Sequence, residues 1–206
     1  MHYRLASILD YRELADLHIQ CSRKQQKGFM YNLGVVFFRQ YYKVFLAEKS
    51  AVILCVVADN GRIIGFNSGT LKAEEHALAL RRNAIRLGLA VVLAMRPGLI
   101  RECIVRFKSL LKGSRISEYG IREGPRGDYW AWDPADKNPA AAIELHKRFR
   151  DIMGNLGATC VRSEVDFDNK VALRSQLLLG GKIVYQFVTP DGRDRCIIEF
   201  TLKEKD

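Results

Sequence analysis

The sequence has no CxxC pair, and its five cysteines, at 21, 55, 103, 160 and 196, are an odd number scattered along the chain. That spacing argues against a disulfide framework and for reduced, mostly buried thiols in an intracellular, cytoplasmic protein. No cluster of Cys and His exists, so no metal is expected. A long apolar run is also missing. The longest charge-free apolar run lies between Arg86 and Arg96, far short of the roughly 20 residues that span a bilayer. The opening Met1-His2-Tyr3-Arg4 lacks the apolar core of a signal peptide. Internal repeats and low-complexity tracts are absent as well. Acidic residues fall short of basic ones, 23 against 33 in 206 residues, leaving a formal charge of +10. Hydrophobic residues make up 48 %, enough for a packed core, so disorder throughout is excluded. The length suits one domain over residues 1–206, carrying an insertion.

Residues 2–6 alternate weakly and read as a first strand. Asp10 is a plausible N-cap for a helix to about Ser22. A second, aromatic-rich helix is expected from Phe29 to Ala47. The apolar run Ala51–Ala58 reads as a strand buried on both faces. Asp59-Asn60-Gly61 then turns the chain into a hairpin with Arg62–Thr70. Residues 72–126 differ, with twelve Lys and Arg against five Asp and Glu. They read as two helices, about 73–95 and 97–112, the second opening on Pro97. Regular alternation then resumes. Strands are expected at Asp128–Asp133 and Thr159–Asp166, each followed by a helix, 139–154 and 169–178. A closing antiparallel pair, Lys182–Val188 and Cys196–Leu202, turns at Pro190-Asp191-Gly192.

Two junctions carry chemistry. In the first, the strand Tyr129-Trp130-Ala131-Trp132 runs through Asp133-Pro134 to Lys137, Asn138, Pro139, Ala140, Ala141 and Ala142 at the start of a helix. A helix N-terminus offers unpaired N–H groups and a positive dipole end, and small residues let a phosphate approach them closely. In the second, Val165-Asp166-Phe167-Asp168-Asn169-Lys170-Val171-Ala172 leads on to Gly180-Gly181. Asn169 suits a helix cap there. A strand–loop–helix with ordinary caps would explain each junction alone.

Together, and in this element order, they resemble the GCN5-related N-acetyltransferases (GNAT). In that family Val-x-Pro-x-x-Arg/Gln-x-x-Gly-x-Gly/Ala marks the first junction and Val-x-x-x-Asn-x-x-Ala the second. The resemblance covers residues 2–70 and 128–202. It implies an α/β fold: a mixed, mostly antiparallel sheet with splayed central strands, flanked by helices, here with a helical insertion. It also implies an acyltransferase with acetyl-CoA or another acyl-CoA as donor. The backbone of Trp130, Ala131 and Trp132 would hold pantetheine. Residues Lys137, Asn138, Pro139, Ala140, Ala141 and Ala142 would meet the pyrophosphate, and Asn169 would face the cofactor. The chain departs from the family at three of these positions. Lys137 stands for Arg or Gln, Ala140 for the glycine, and Gln176 for a tyrosine that protonates the leaving thiolate.

Transfer to an amine needs a base. Glu164 is the first candidate and Asp166 the second, both on one face of the strand 159–166 by period-2 alternation. His18 and His146 read as packing residues, and Trp130 and Trp132 as core aromatics. The acceptor expected is a small amine such as an amino sugar. A long-chain donor on CoA or on an acyl carrier protein is an alternative, and a non-catalytic binding protein is another. The basic residues of the insertion fit a solvated face, a carrier protein or an anionic membrane surface. Nucleic acid fits least, since no nucleic-acid module is evident.

Overall fold

The computed structural model describes residues 1–22, 33–93, 120–189 and 192–202. The expected helix at 97–112, the basic residues Arg96, Arg101, Arg106, Lys108, Lys112 and Arg115, and the turn at Pro190-Asp191 lie outside the described residues.

Seven strands form one sheet in the order β1-β2-β3-β4-β5-β7-β6. In chain order the elements are β1 (His2–Leu5), α1 (Tyr11–Ser22), α2 (Gly34–Leu46), β2 (Ala51–Val57), β3 (Ile63–Thr70), α3 (Ala73–Arg82), α4 (Ala84–Leu93), β4 (Arg126–Trp132), α5 (Pro139–Asn155), β5 (Cys160–Asp166), α6 (Lys170–Leu178), β6 (Lys182–Val188) and β7 (Asp194–Thr201). Among the described residues the expected order of strands and helices holds. β2 is apolar, β3 carries Asn67, Ser68 and Thr70 in its second half, and both are buried along almost their whole length, because helices cover both faces. Leu14, Phe38, Tyr42 and Phe45 of α1 and α2 pack on one face. Leu145, Phe149 and Met153 of α5 pack on the other. None of the helices among the described residues is long and apolar enough to cross a membrane.

Two expectations need correction. The first helix is not capped by Asp10. Ser7 caps a short 3-10 turn over Ile8–Asp10, and Asp10 reaches back to the Ser7 N–H and pairs with Arg4 at 2.7 Å. The helix expected over 73–95 is two helices, broken at Asn83. The Asn83 side chain donates to the Ala79 carbonyl at 2.9 Å, so a side chain competes with the backbone ladder there.

Every neighbouring pair in the sheet is antiparallel except β4 and β5. That parallel pair meets at only two positions, Arg126 with Arg162 and Gly127 with Ser163. Beyond them the strands splay. The register between β3 and β4 shows why. Ser68 pairs with Tyr129 and Gly69 with Gly127, so Asp128 is an extra residue on β4. Such a bulge bends its strand and re-aims a side chain. Two glycines permit the close contacts beneath it. A Cβ at Gly127 would meet Ser163 Oγ at 2.5 Å, and one at Gly69 would meet Phe149 Cζ at 2.7 Å.

Candidate functional site

The splay gives the sheet a cleft with two different faces. On the α5 side, Trp130 stacks on His146 with ring centroids 4.7 Å apart. Phe200 meets the same imidazole edge-on at 5.3 Å. His146 Nδ1 lies 2.7 Å from Asn67 Nδ2. Among the described residues, the buried polar atoms without a partner on this side include Trp130 Nε1, His146 Nε2 and Gln176 Oε1, with Arg150 Nε of α5 a fourth. Buried polar atoms are usually hydrogen-bonded, so these atoms mark a place where a polar ligand would be satisfied.

Next to it, α5 begins with Pro139 and is capped by Asn138, whose side chain accepts from the Ala141 N–H at 3.1 Å. The loop before it is largely self-satisfied. Asp133, almost fully buried, accepts from Gln20, Arg62 and the Ala135 N–H. Asp136 accepts from the Asn138 N–H at 3.0 Å. Ala142 donates to the Asn138 carbonyl at 3.2 Å. The N–H groups of Lys137 and Ala140 have no partner among the described residues, and both residues are exposed. The helix N-terminus thus keeps two open donors and the Lys137 ammonium, beside the Asp136 carboxylate. Trp132 is fixed differently, its Nε1 donating to the Asp136 carbonyl at 3.0 Å. Ala131 packs into the core under α1 and α2. Asn169 caps α6, accepting from the Ala172 N–H at 3.2 Å.

The opposite face holds the charges. Period-2 alternation does put Arg162, Glu164 and Asp166 on one face of β5, and each meets β7 or its turn. Arg162 pairs with Glu199 at 2.8 Å, Glu164 with Arg195 at 2.5 Å, and Asp166 with Arg193 at 3.0 Å. Glu164 also accepts from the Ile121 N–H at 3.0 Å. Both its oxygens are therefore engaged. Asp128, at the bulge, is different. Its Oδ1 pairs with Arg126 at 2.7 Å, while Oδ2 is buried and has no partner among the described residues. Burial pushes this carboxyl above its ordinary range, and the adjacent Arg126 guanidinium opposes that only in part.

Against α2 lies a second buried group that no sequence pattern announces. His76 of α3 is 1 % exposed. Its Nδ1 lies 2.8 Å from Glu48 Oε1, and its Nε2 lies 3.4 Å from the Tyr41 hydroxyl. Burial raises the Tyr41 phenol well above its usual value, with a further push from the Asp128 charge. Glu48, His76 and Asp128 come from three separate stretches of chain, so no spacing pattern links them. The signals available are weak: an aspartate inside an aromatic strand, and a histidine in phase with Ala73 on a helix with two acidic and two basic residues.

Both expected packing histidines are buried against aromatic rings. His18 stacks on Tyr129 at 3.7 Å and lies 2.8 Å from the Tyr42 hydroxyl. Burial lowers His18 to about 3. Burial, helped by the Arg150 charge, lowers His146 to about 3 as well. An unfolded histidine titrates near 6.5. Between those values the unfolded chain binds up to two more protons than the folded one. Stability is therefore full above pH 6.5 and falls as the pH drops, at up to about 2.7 kcal/mol per pH unit with both sites contributing. Urea midpoints from pH 7 to 5 should decline for the natural chain and decline less for His18→Gln/His146→Gln. Parallel declines would remove the histidines as the cause.

No family model matches the sequence, and no curated protein matches it. Solved structures do. An aminoglycoside 6'-acetyltransferase type Ii aligns with a TM-score of 0.62 and 11 % identity, over 100 % of both chains. A ribosomal-protein-alanine N-acetyltransferase from Brucella melitensis gives 0.60 and 9 %, covering 98 % of this chain and 100 % of that one. The protein yncA of Salmonella typhimurium, solved with its cofactor acetyl-CoA, gives 0.59 and 12 %, covering 100 % of this chain and 96 % of that one. The chain has the fold these proteins share, with the mixed seven-stranded sheet expected of it.

Proposed function

We infer that this chain, which carries the GNAT fold, is an acyltransferase that moves an acyl group from a thioester to an amine. The observation that carries this reading is the β4–β5 splay, with unsatisfied polar atoms on one side and an unpartnered buried carboxylate on the other. Coenzyme A, when bound, would supply the acyl group as a thioester. The pantetheine arm fits the α5 side, where Trp130, His146 and Gln176 each keep an open polar atom. The backbone of Trp130, Ala131 and Trp132 borders that side along the splayed part of β4. The open N–H groups of Lys137 and Ala140, with the Lys137 side chain, would hold phosphate, next to Asn138, Pro139, Ala141 and Ala142. Asn169 would close the far side from the start of α6.

Asp128 would take the proton that the amine must lose. An ammonium has no lone pair, so the acceptor reacts only as the neutral amine. A carboxyl raised by burial is a better proton acceptor than an ordinary one. Asp128 is preferred here to Glu164, whose oxygens already bind Arg195 and the Ile121 N–H. Gln176 cannot return a proton to the departing thiolate, so that proton would come from solvent. A small amine such as an amino sugar remains the acceptor class proposed, and acetyl the acyl group.

A second reading has one observation in its favour. Asp133, Asp136 and Asn138 consume most of the loop's donors, which weakens the seat for a pyrophosphate but not the seat for a pantetheine arm. A carrier-protein phosphopantetheine has the same arm and a single phosphate. Exposed Arg81 and Arg82 of α3 and Arg86 of α4 would suit either an acidic carrier protein or an anionic membrane surface.

Thermal denaturation with acetyl-CoA, CoA and a long-chain acyl-CoA, each titrated, distinguishes these. A ligand at about 100 times its Kd adds roughly 2.7 kcal/mol of apparent stability, so the midpoint should rise with acetyl-CoA and with CoA. A rise with the long-chain donor alone moves the assignment to long-chain acyl transfer. No rise with any of them sinks the CoA reading and leaves a carrier-protein donor or a binding role.

A further inference from the structure

We propose that the outer face of α4, together with the last turn of α3, docks on an anionic lipid surface. None of these residues belongs to the cleft between β4 and β5, so occupancy of this face does not depend on acyl transfer.

α4 is apolar on both its sides. The inner side is already used. Leu87, Ala90 and Val91 are buried, and Val91 packs with Leu33 and Phe37 at the start of α2. The opposite side carries Ile85, Gly88, Leu89 and Val92, spaced i, i+3, i+4 and i+7 and so on one face. Ile85 is 82 % exposed, Leu89 59 % and Val92 51 %. A surface helix of a water-soluble domain turns polar residues outward, and one that is apolar all round belongs in a core or in lipid. Over its ten described residues α4 is about 15 Å long. That is half of the roughly 30 Å hydrocarbon core, so the helix would lie in the plane of a membrane and not across it.

The charges beside this face select its occupant. Leu78, Arg81 and Arg82 share the outer face of α3, spaced i, i+3 and i+4. Arg86 lies about 100° round α4 from Ile85. All four are exposed. α3 and α4 both pack against α2, so both outer faces turn away from it. Elsewhere on the surface Arg39, Arg62 and Arg148 each hold a carboxylate. Among the described residues no carboxylate pairs with Arg81, Arg82 or Arg86, and Arg86 donates to Gln40 Oε1 at 2.8 Å. The acidic residues of α3, Glu74 and Glu75, stand at its other end, about 10 Å away along the axis. They are taken by the Gly124 N–H and by Lys72. Two copies of this face would set like charges against each other, which costs affinity. Protein partners are anchored by Trp, Tyr and Arg at the centre of the contact far more than by Leu or Val, and the centre here is aliphatic alone. Anionic headgroups above acyl chains match both the cationic rim and the aliphatic centre.

Sedimentation of the full chain with lipid vesicles tests this. The chain should pellet with vesicles containing phosphatidylglycerol and stay in solution with phosphatidylcholine alone. Each arginine near an anionic surface contributes about fivefold to binding, so Arg81→Gln/Arg82→Gln/Arg86→Gln should weaken it roughly 100-fold. Ile85→Ser/Leu89→Ser should weaken it by more than about tenfold, because the aliphatic face no longer enters the lipid. Every side chain changed is exposed, so both variants should melt where the natural chain does. Absence of binding to the anionic vesicles overturns the proposal. Binding that Ile85→Ser/Leu89→Ser leaves intact overturns it too, since charge attraction alone would then hold the chain. Retention on an immobilised acidic acyl carrier protein, without vesicle binding, would give the surface to a protein partner instead. A mass in light scattering that Ile85→Ser/Leu89→Ser halves would give it to a second copy, with the same consequence. None of these readouts involves acyl transfer, so failure here and failure of the acyltransferase reading are separate results.

Discussion

Asp128→Asn should lower acyl transfer by about 10²–10⁴-fold, the usual contribution of a positioned general base. The change keeps the side-chain shape and leaves an oxygen able to accept from Arg126, so the fold should persist. The lost step is removal of the amine proton. Because burial raises this carboxyl, the natural protein's kcat/KM should fall on acidification through a midpoint above the usual carboxylate range. That acid limb should vanish from whatever activity remains in Asp128→Asn. Release of CoA thiol from acetyl-CoA, measured with an amine that the protein accepts, gives both numbers. Glu164→Gln is the informative comparison. It breaks the ion pair with Arg195 and should cost stability while sparing most of the rate. A rate loss centred on Glu164 instead, with Asp128→Asn near normal, would return the base to β5.

Gly69→Ala should be the most damaging small change in the sheet. A methyl there has no room. It would run into the Arg126 carbonyl oxygen and lie 2.7 Å from Phe149 Cζ. The first is backbone in a paired strand and cannot swing aside. The second belongs to a ring buried at the centre of the α5 face. Overpacking of this kind costs about 3 kcal/mol, which for a chain of this size lowers Tm by roughly 6–12 °C. The damage falls on the bulge itself, since Gly69 pairs across from Gly127 and sets the two-against-one register that aims Asp128. A scanning denaturation experiment decides it, and an unchanged Tm would mean that the strands part more easily than their packing implies.

The fold was legible because its signals are local. The apolar run Ala51–Ala58, the Asp59-Asn60-Gly61 turn and the Asn169 cap each act over a few residues, and the structure places strand, turn and cap where they were read. Helix ends were less legible. Asp10 looks like a cap, yet it serves Ser7 and Arg4, a choice that depends on where β1 delivers its arginine. Asn83 breaks a helix that periodicity alone continues. The candidate site divides the same way. The Asn138 and Asn169 helix caps are legible because helix-terminus chemistry is written in adjacent residues. Asp128 and His76 are not legible in the sequence because their environment comes from burial and, for His76, from a contact with Glu48, 28 residues away. Period-2 alternation gives the face of Glu164 on β5, but only the pairing with β7 brings Arg195 to it.

Only two rungs join β4 to β5, and this divides the sheet mechanically as well as geometrically. One leaf is β1 to β4 with α1 and α2. The other is β5, β7 and β6 with α6, and its core of Val165, Cys196, Ile198 and Phe200 is its own. Between them α5 acts as a clasp, its Leu145, Phe149 and Met153 packing on β2 and β3 while also meeting Val161 of β5. Sub-global opening should follow this seam, because few hydrogen bonds cross it and cooperative units of unfolding tend to follow such motifs. The leaves would part like a book around its spine, with α5 as the binding, before either leaf loses its own pages.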